Sequence, residues 1–279
     1  MIVLSHFQAK QLLTERKTGA AQTKISPDLG LNVVTVQLEA EAVRFPSGVT
    51  LAWPQIERIL EKENGCFEVD ADGMEEIRIF SEATNRYCSL YPTRSAPTIV
   101  IAGFPMHRIK ESDPKQDTLE KIKSVAPITG RVLDTTMGLG YTAIEAARSA
   151  EHVTTIELDP AVIEIAQRNP WSQDLFTRSN IEVRNGDSFE EIRAFADASF
   201  DRILHDPPVF ALAGELYSAE FYGELWRVLK PKGRLFHYIG NPDSASGNRV
   251  TKGVIRRLQD VGFRNLRDAA KAFGVVAVK

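Results

Sequence analysis

The chain has 279 residues, 43% hydrophobic and 25% charged, close to the globular average. That length suits one large domain or two modest ones, and the composition excludes a disordered, collagen-like or disulfide-stapled chain. The formal net charge of −3 excludes a globally basic nucleic-acid binder, though not a local basic patch.

Cys66 and Cys88 lie too far apart in sequence for a CxxC motif and are expected to be buried thiols in a reducing cytoplasm. The start, Met1 to His6, lacks the basic segment and apolar run of a signal peptide. No apolar stretch approaches the ~20 residues that span a bilayer, so the expectation is a cytoplasmic protein with no membrane partner.

Ser5 and Gln8 have capping-box spacing, predicting a short helix that ends before Gly19. Residues 20–30 read as a linker. Valine-rich or alternating runs then predict strands at 31–38, 42–45 and 49–53, with Pro46-Ser47-Gly48 as a hairpin turn. Pro54 opens a helix carrying Ile56, Ile59 and Leu60, and Asn64-Gly65 closes it. More β-type runs follow at 66–70, 76–80, 86–91 and 98–102. Residues 1–108 are thus a small β-rich amino-terminal module.

A second domain is expected over 113–279. Asp117 reads as the cap of a helix from Thr118 to Val125. Strands at 131–134, 152–157, 181–185, 200–206 and 233–239 then alternate with helices near 141–150, 161–168, 189–197, 216–229 and 250–261. Such alternation predicts an α/β fold, a Rossmann-like doubly wound parallel sheet with helices on both faces. The runs 263–268 and 273–278 predict a terminal antiparallel strand pair. Ligands in such sheets bind beyond the carboxyl ends of the strands.

Several chemistry-bearing residues fall at those ends. The first strand runs into Asp134-Thr135-Thr136-Met137-Gly138-Leu139-Gly140, where glycines before a helix let a ligand approach the backbone. Glu157 ends the second strand, placed to accept both hydroxyls of a ribose. Asp187 follows the third, placed to accept an adenine amino group. The fourth delivers Asp206-Pro207-Pro208-Val209-Phe210, where two prolines remove backbone donors beside a carboxylate. An acceptor-only cluster of that kind can hold the N–H bonds of a neutral amine and aim its lone pair. Each feature has a bland reading as a turn or solvated loop. Three acids at successive strand ends are harder to dismiss.

These segments, in this order, resemble class I S-adenosylmethionine-dependent methyltransferases over residues 113–279. The closer resemblance, carried also by Gly103 to Lys110 and Gly214 to Ser218, is to an uncharacterised group of predicted archaeal methyltransferases. It implies S-adenosylmethionine as cofactor, bound by Asp134, Thr136, Gly138, Gly140, Glu157 and Asp187. It further implies that Asp206, Pro207 and Pro208 act on an amino nitrogen. Thr136 stands where the family's first glycine is usual, and Val209 where its stacking aromatic is usual, with Phe210 one place later. Phe210 and Tyr217 are candidates to touch the acceptor, although Tyr217, Phe221, Tyr222 and Leu225 also fit the buried stripe of a helix.

Three rivals stand beside methyl transfer. They are aminopropyl transfer from decarboxylated S-adenosylmethionine, a non-catalytic module that binds S-adenosylmethionine, and a dehydrogenase using NAD. His205 and His237 are expected to be structural. No His/Cys/Asp cluster has metal-ligand spacing, so no metal is expected. Residues 243–279 hold eight basic side chains against three acidic, among them Arg249, Lys252, Arg256, Arg257, Arg264, Arg267 and Lys271. That segment reads first as a solvated face and second as an RNA-phosphate surface. The amino-terminal module reads as a substrate platform or the interface of a homodimer.

Overall fold

The computed structural model describes residues 1–210, 212–240 and 245–279, with side chains for all of these except 245–249. Two compact units are present, residues 1–115 with 161–173, and residues 116–160 with 174–279.

The first unit is β-rich. Its small antiparallel sheets join Ile2–Ser5 to Cys66–Val69 and Met74–Glu76, and Gln22–Ile25 through Val34–Leu38 and Ala42–Arg44 to Thr50–Ala52. A third joins Arg78–Ser81 to Arg86–Tyr91, Thr98–Ile101 and Phe104–Pro105. The capping box at Ser5 and Gln8 forms as expected and starts the helix His6–Lys17. Residues 20–30 are not simply a linker, because Gln22–Ile25 pairs with Val34–Leu38. Nothing in the polar run Gln22-Thr23-Lys24 announces a strand; its partner creates it. Cys66 and Cys88 are both buried, and His107 is tied to the Thr98 hydroxyl, 2.9 Å from its Nδ1.

The second unit is built on a seven-stranded sheet. Its strands are β1 (Arg131–Asp134), β2 (His152–Glu157), β3 (Ile181–Asn185), β4 (Phe200–His205), β5 (Leu229–Tyr238), β6 (Arg264–Ala269) and β7 (Gly274–Val278). They lie in the order β3-β2-β1-β4-β5-β7-β6. β1 to β5 are parallel, while β7 is antiparallel to both β5 and β6. The doubly wound sheet with its terminal antiparallel pair is therefore present. Leu133, Ile156, Ile203 and Leu235 on its strands pack with Phe221, Leu225, Val254 and Leu258 in one core. No described helix is long and apolar enough to cross a membrane.

Several helices differ from expectation: the one near 141–150 ends at Ala146, and that at 216–229 divides into a 3-10 turn, Gly214–Tyr217, and a helix, Ala219–Val228. The helix at 114–125 starts at Pro114 (α1, Pro114–Val125), with Asp113 accepting from the Lys115 N–H at 2.9 Å, so Asp117 is an interior residue and not the cap. The helix expected over 189–197 stops after Ser188–Glu191 and a single 3-10 turn. The Arg227 guanidinium takes the Ile192 and Phe195 carbonyls, which a continuing helix would have used.

Strand order reverses between β1 and β4, and the register fixes what meets there. Asp134 lies beside Thr155 of β2 and beside Leu204 of β4. Two residues further along each chain, Thr136, Glu157 and Asp206 reach one level above the sheet edge. That is the crevice where open α/β sheets bind ligands.

Candidate active site

Asp134 is fully buried, and its Oδ2 accepts from the hydroxyls of Thr155 at 2.9 Å and Thr142 at 3.2 Å. Its Oδ1 has no hydrogen-bond partner. Burial pushes the carboxyl up to about 7; the two hydroxyls and the Thr136 backbone N–H oppose that rise and the nearby Asp206 charge adds to it. A buried carboxylate oxygen left unpaired is costly unless a ligand cation completes it.

The loop after β1 uses its two glycines differently. Gly140 has φ +73°, and a Cβ there would stand 2.6 Å from Leu175, so the glycine serves close packing. Gly138 has φ +54° and nothing within 4 Å of an added Cβ, so its bare side is open to a ligand. Its N–H donates to Glu157 Oε2 at 2.9 Å, and the Asp159 N–H donates to Oε1 at 3.0 Å. Burial raises the Glu157 carboxyl to about 7 against these two donors. Asp187 is exposed and caps the helix Ser188–Glu191 through the Phe189 N–H at 2.8 Å. Thr136, the residue in place of a glycine, donates its hydroxyl to the Asp206 carbonyl at 2.8 Å. It joins the first loop to the fourth.

Beyond β4, the Asp206 Oδ2 lies 2.5 Å from Lys121 Nζ on α1. The same ammonium is 2.7 Å from Asp117 Oδ2 and 5.0 Å from the centre of the Tyr238 ring. Burial alone would lower the Lys121 pKa, but Asp206 and Asp117 together outweigh it and raise it, so the lysine stays charged. Lys121 is the charged residue at this site that the sequence did not flag. The one available signal was the Asp117-to-Lys121 spacing, which places both on one helix face.

Tyr217 is buried and donates its hydroxyl to the Pro208 carbonyl at 2.9 Å. Phe210 is exposed, its ring edge-on to Tyr217 at 5.5 Å. Phe221, Tyr222 and Leu225 form the buried stripe. His205 and His237 are both buried, as structural residues would be. Thr135 Oγ1 is 2.7 Å from His205 Nδ1, whose other nitrogen lies 3.0 Å from the Leu216 carbonyl. His237 Nε2 is 2.7 Å from the Tyr222 hydroxyl. Burial depresses both, His205 to about 3. Among the described residues no group of His, Cys, Asp and Glu is placed to hold a metal ion. Lys252, Arg256, Arg264, Arg267 and Lys271 are exposed, whereas the Arg249 side chain lies outside the described residues.

Residues 132–233 match a family model described as a methyltransferase domain. An uncharacterized protein of Methanocaldococcus jannaschii is 46% identical over 248 residues, covering 88% of this chain and 84% of that one. The chain belongs to that protein's family. Polyamine aminopropyltransferase 2 of Streptomyces coelicolor is 34% identical over 122 residues, spanning 41% of this chain but 22% of its own length. Among solved structures, a spermidine synthase bound to the transition-state analogue AdoDATO superposes with a TM-score of 0.59 at 21% identity, covering 72% of this chain and 73% of that one. The spermidine synthase of Thermotoga maritima gives 0.56 at 19% identity, covering 72% of each. At that identity the likeness is one of fold. Residues 132–233 are thus an enzyme domain of the class that binds S-adenosylmethionine or its decarboxylated form. The unpaired Asp134 Oδ1, the open side of Gly138 and the Glu157 carboxylate fit such a cofactor, whose ammonium, backbone approach and ribose diol they match in kind.

Proposed function

We propose that the protein transfers a methyl group from S-adenosylmethionine to an amino nitrogen held at Asp206-Pro207-Pro208. The observation that carries this is the Thr136–Asp206 hydrogen bond of 2.8 Å, which fastens the cofactor loop to the acceptor motif at the reversal of strand order. When bound, the cofactor would supply an electrophilic methyl carbon on a sulfonium, with a neutral thioether as the leaving group that takes the C–S electron pair, and the acceptor nitrogen would give up one proton to solvent on gaining the methyl.

The chain's own residues bind and orient. Asp134 receives the ligand ammonium, Glu157 the ribose hydroxyls and Asp187 the adenine amino group. The Asp206 carboxylate and the Pro207 carbonyl accept N–H bonds from the acceptor, so its lone pair faces the electrophile. Tyr217 fixes the Pro208 carbonyl, and the exposed Phe210 ring is the proposed contact for the acceptor. No covalent intermediate on the protein is required, since positioning and electrostatics suffice for a direct displacement.

The similarity to polyamine aminopropyltransferases favours a second reading, aminopropyl transfer to a polyamine from decarboxylated S-adenosylmethionine. One experiment decides between them. The purified protein is offered each cofactor with RNA, protein and small-molecule fractions from a strain lacking it, and products are identified by mass. Methylated product from one fraction is expected. An aminopropylated amine, with no methylated product, would overturn the first reading.

A further inference from the structure

We infer that Lys121 fixes the Asp206 carboxylate in place and keeps cationic amines away from it, so that the acceptor nitrogen arrives uncharged. This rests on the reading of Asp206 as the carboxylate that meets the acceptor.

The geometry starts on α1, where Asp117 and Lys121 stand one turn apart. Their side chains are 0% and 2% exposed, and that of Asp206 is 20% exposed. The ammonium is thus enclosed by two carboxylates, at 2.7 and 2.5 Å, and by the face of Tyr238 at 5.0 Å. Removing charges from water is costly, and well-packed apolar residues often serve a fold as well or better. Stability alone therefore gives little reason to bury a lysine here. Its placement gives another. The carboxylate it grips belongs to the loop that reaches the level of Thr136 and Glu157.

Two consequences follow for the acceptor. Gripped by Lys121, the Asp206 carboxylate keeps one orientation, so it serves as a hydrogen-bond acceptor. Because the Lys121 ammonium already occupies the Asp206 Oδ2, a protonated polyamine has to displace or share that ion pair, whereas a neutral amine donates N–H bonds to the free lone pairs without competing for it. Displacement at carbon also needs a nitrogen lone pair, which an ammonium lacks. Lys121 thus acts through Asp206 as a positioning and specificity residue, and it selects the uncharged form of the acceptor.

Calorimetry with spermidine, in the presence of S-adenosylhomocysteine, tests this without requiring turnover. The variants are Lys121→Gln, which keeps hydrogen-bond donors without charge, and Lys121→Met combined with Asp117→Asn, which removes the buried pair together. Both should bind spermidine at least tenfold more tightly than the natural chain, and adding Asp206→Asn should abolish the gain. Lys121→Arg should bind it as weakly as the natural chain. S-adenosylhomocysteine affinity within threefold of normal confirms a folded site in each variant. Equal spermidine affinity in the natural chain and Lys121→Gln, or a gain that survives Asp206→Asn, would overturn the inference. Failure of methyl transfer in every fraction overturns the proposed function instead, and leaves this comparison readable.

Discussion

The Thr136 hydroxyl donates to the Asp206 carbonyl at 2.8 Å across 70 residues of sequence. Both residues follow the last rung of their strands, and the parallel register of β1 and β4 puts them level. A position where a flexible glycine is usual thus becomes a strut between two loops. Thr136→Val, which keeps the shape but not the donor, should lower turnover about tenfold and leave S-adenosylhomocysteine affinity within threefold. Thr136→Ser should restore most of the loss. The magnitude is that of one hydrogen bond, about 1–1.5 kcal/mol.

Variants of Asp206 and Asp134 test the proposed division between chemistry and cofactor binding. Asp206→Ala should reduce transfer by at least 100-fold on the labelled fraction, with cofactor affinity nearly unchanged by calorimetry. Asp134→Ala should show the reverse order, with cofactor affinity falling first. Unchanged turnover in Asp206→Ala, on the true acceptor, would remove that residue from the mechanism.

The two glycines of the first loop predict opposite failures. Gly140→Ala brings a Cβ to 2.6 Å from Leu175, so it should lower the denaturant midpoint, by roughly 2 kcal/mol of stability. Gly138→Ala meets nothing within 4 Å and pays only the left-handed backbone strain, roughly 1–2 kcal/mol. Its larger effect should fall on cofactor affinity, because the new methyl stands on the open side of the loop.

The buried ionisable groups set opposing slopes of stability against pH. The Asp134 and Glu157 carboxyls sit at about 7 in the folded chain, above their unfolded values, so their contribution is present at low pH and lost as pH rises through about 7. His205 and His237 lie below their unfolded value, so theirs is present above pH 6.5 and lost as pH falls, for His205 down to about 3. Each slope is at most about 1.4 kcal/mol per pH unit, so the pairs largely cancel between pH 4.5 and 6.5. Asp134→Asn should therefore raise stability at pH 8 by on the order of 2 kcal/mol and expose a steeper loss on acidification, measured by urea titration.

Cofactor affinity should move with the same carboxyls. In the proposed binding mode, ionised Asp134 and Glu157 take the ligand's ammonium and hydroxyl donors; both carboxyls sit at about 7, so S-adenosylhomocysteine binding should strengthen from pH 6 to pH 8. In the double variant Asp134→Asn, Glu157→Gln that pH dependence should flatten, read by calorimetry at each pH.

Much of the second unit was legible in the chain, because its signals are local. Apolar runs of strand length, separated by helical spacing, give the alternation directly, and strand ends are where Asp134, Glu157, Asp187 and Asp206 already stood. The capping box at Ser5 and Gln8 is equally local and formed as read. Where partners are distant, the reading stopped. Gln22–Ile25 is a strand only because Val34–Leu38 pairs with it, and the helix after Ser188 is cut short by an arginine more than 30 residues later.

The charge distribution of the sequence divides in the same way. Sequence by itself determined the net −3, the basic carboxyl-terminal run and the row of acids after the strands, since these depend only on residue identity and spacing. Tertiary structure alone decided which charges meet. Lys121 and Asp206 are 85 residues apart, and nothing in the composition of either neighbourhood couples them. Packing α1 against the end of β4 does, and it turns an ordinary helix lysine into a buried counter-ion for the carboxylate on which the proposed chemistry turns.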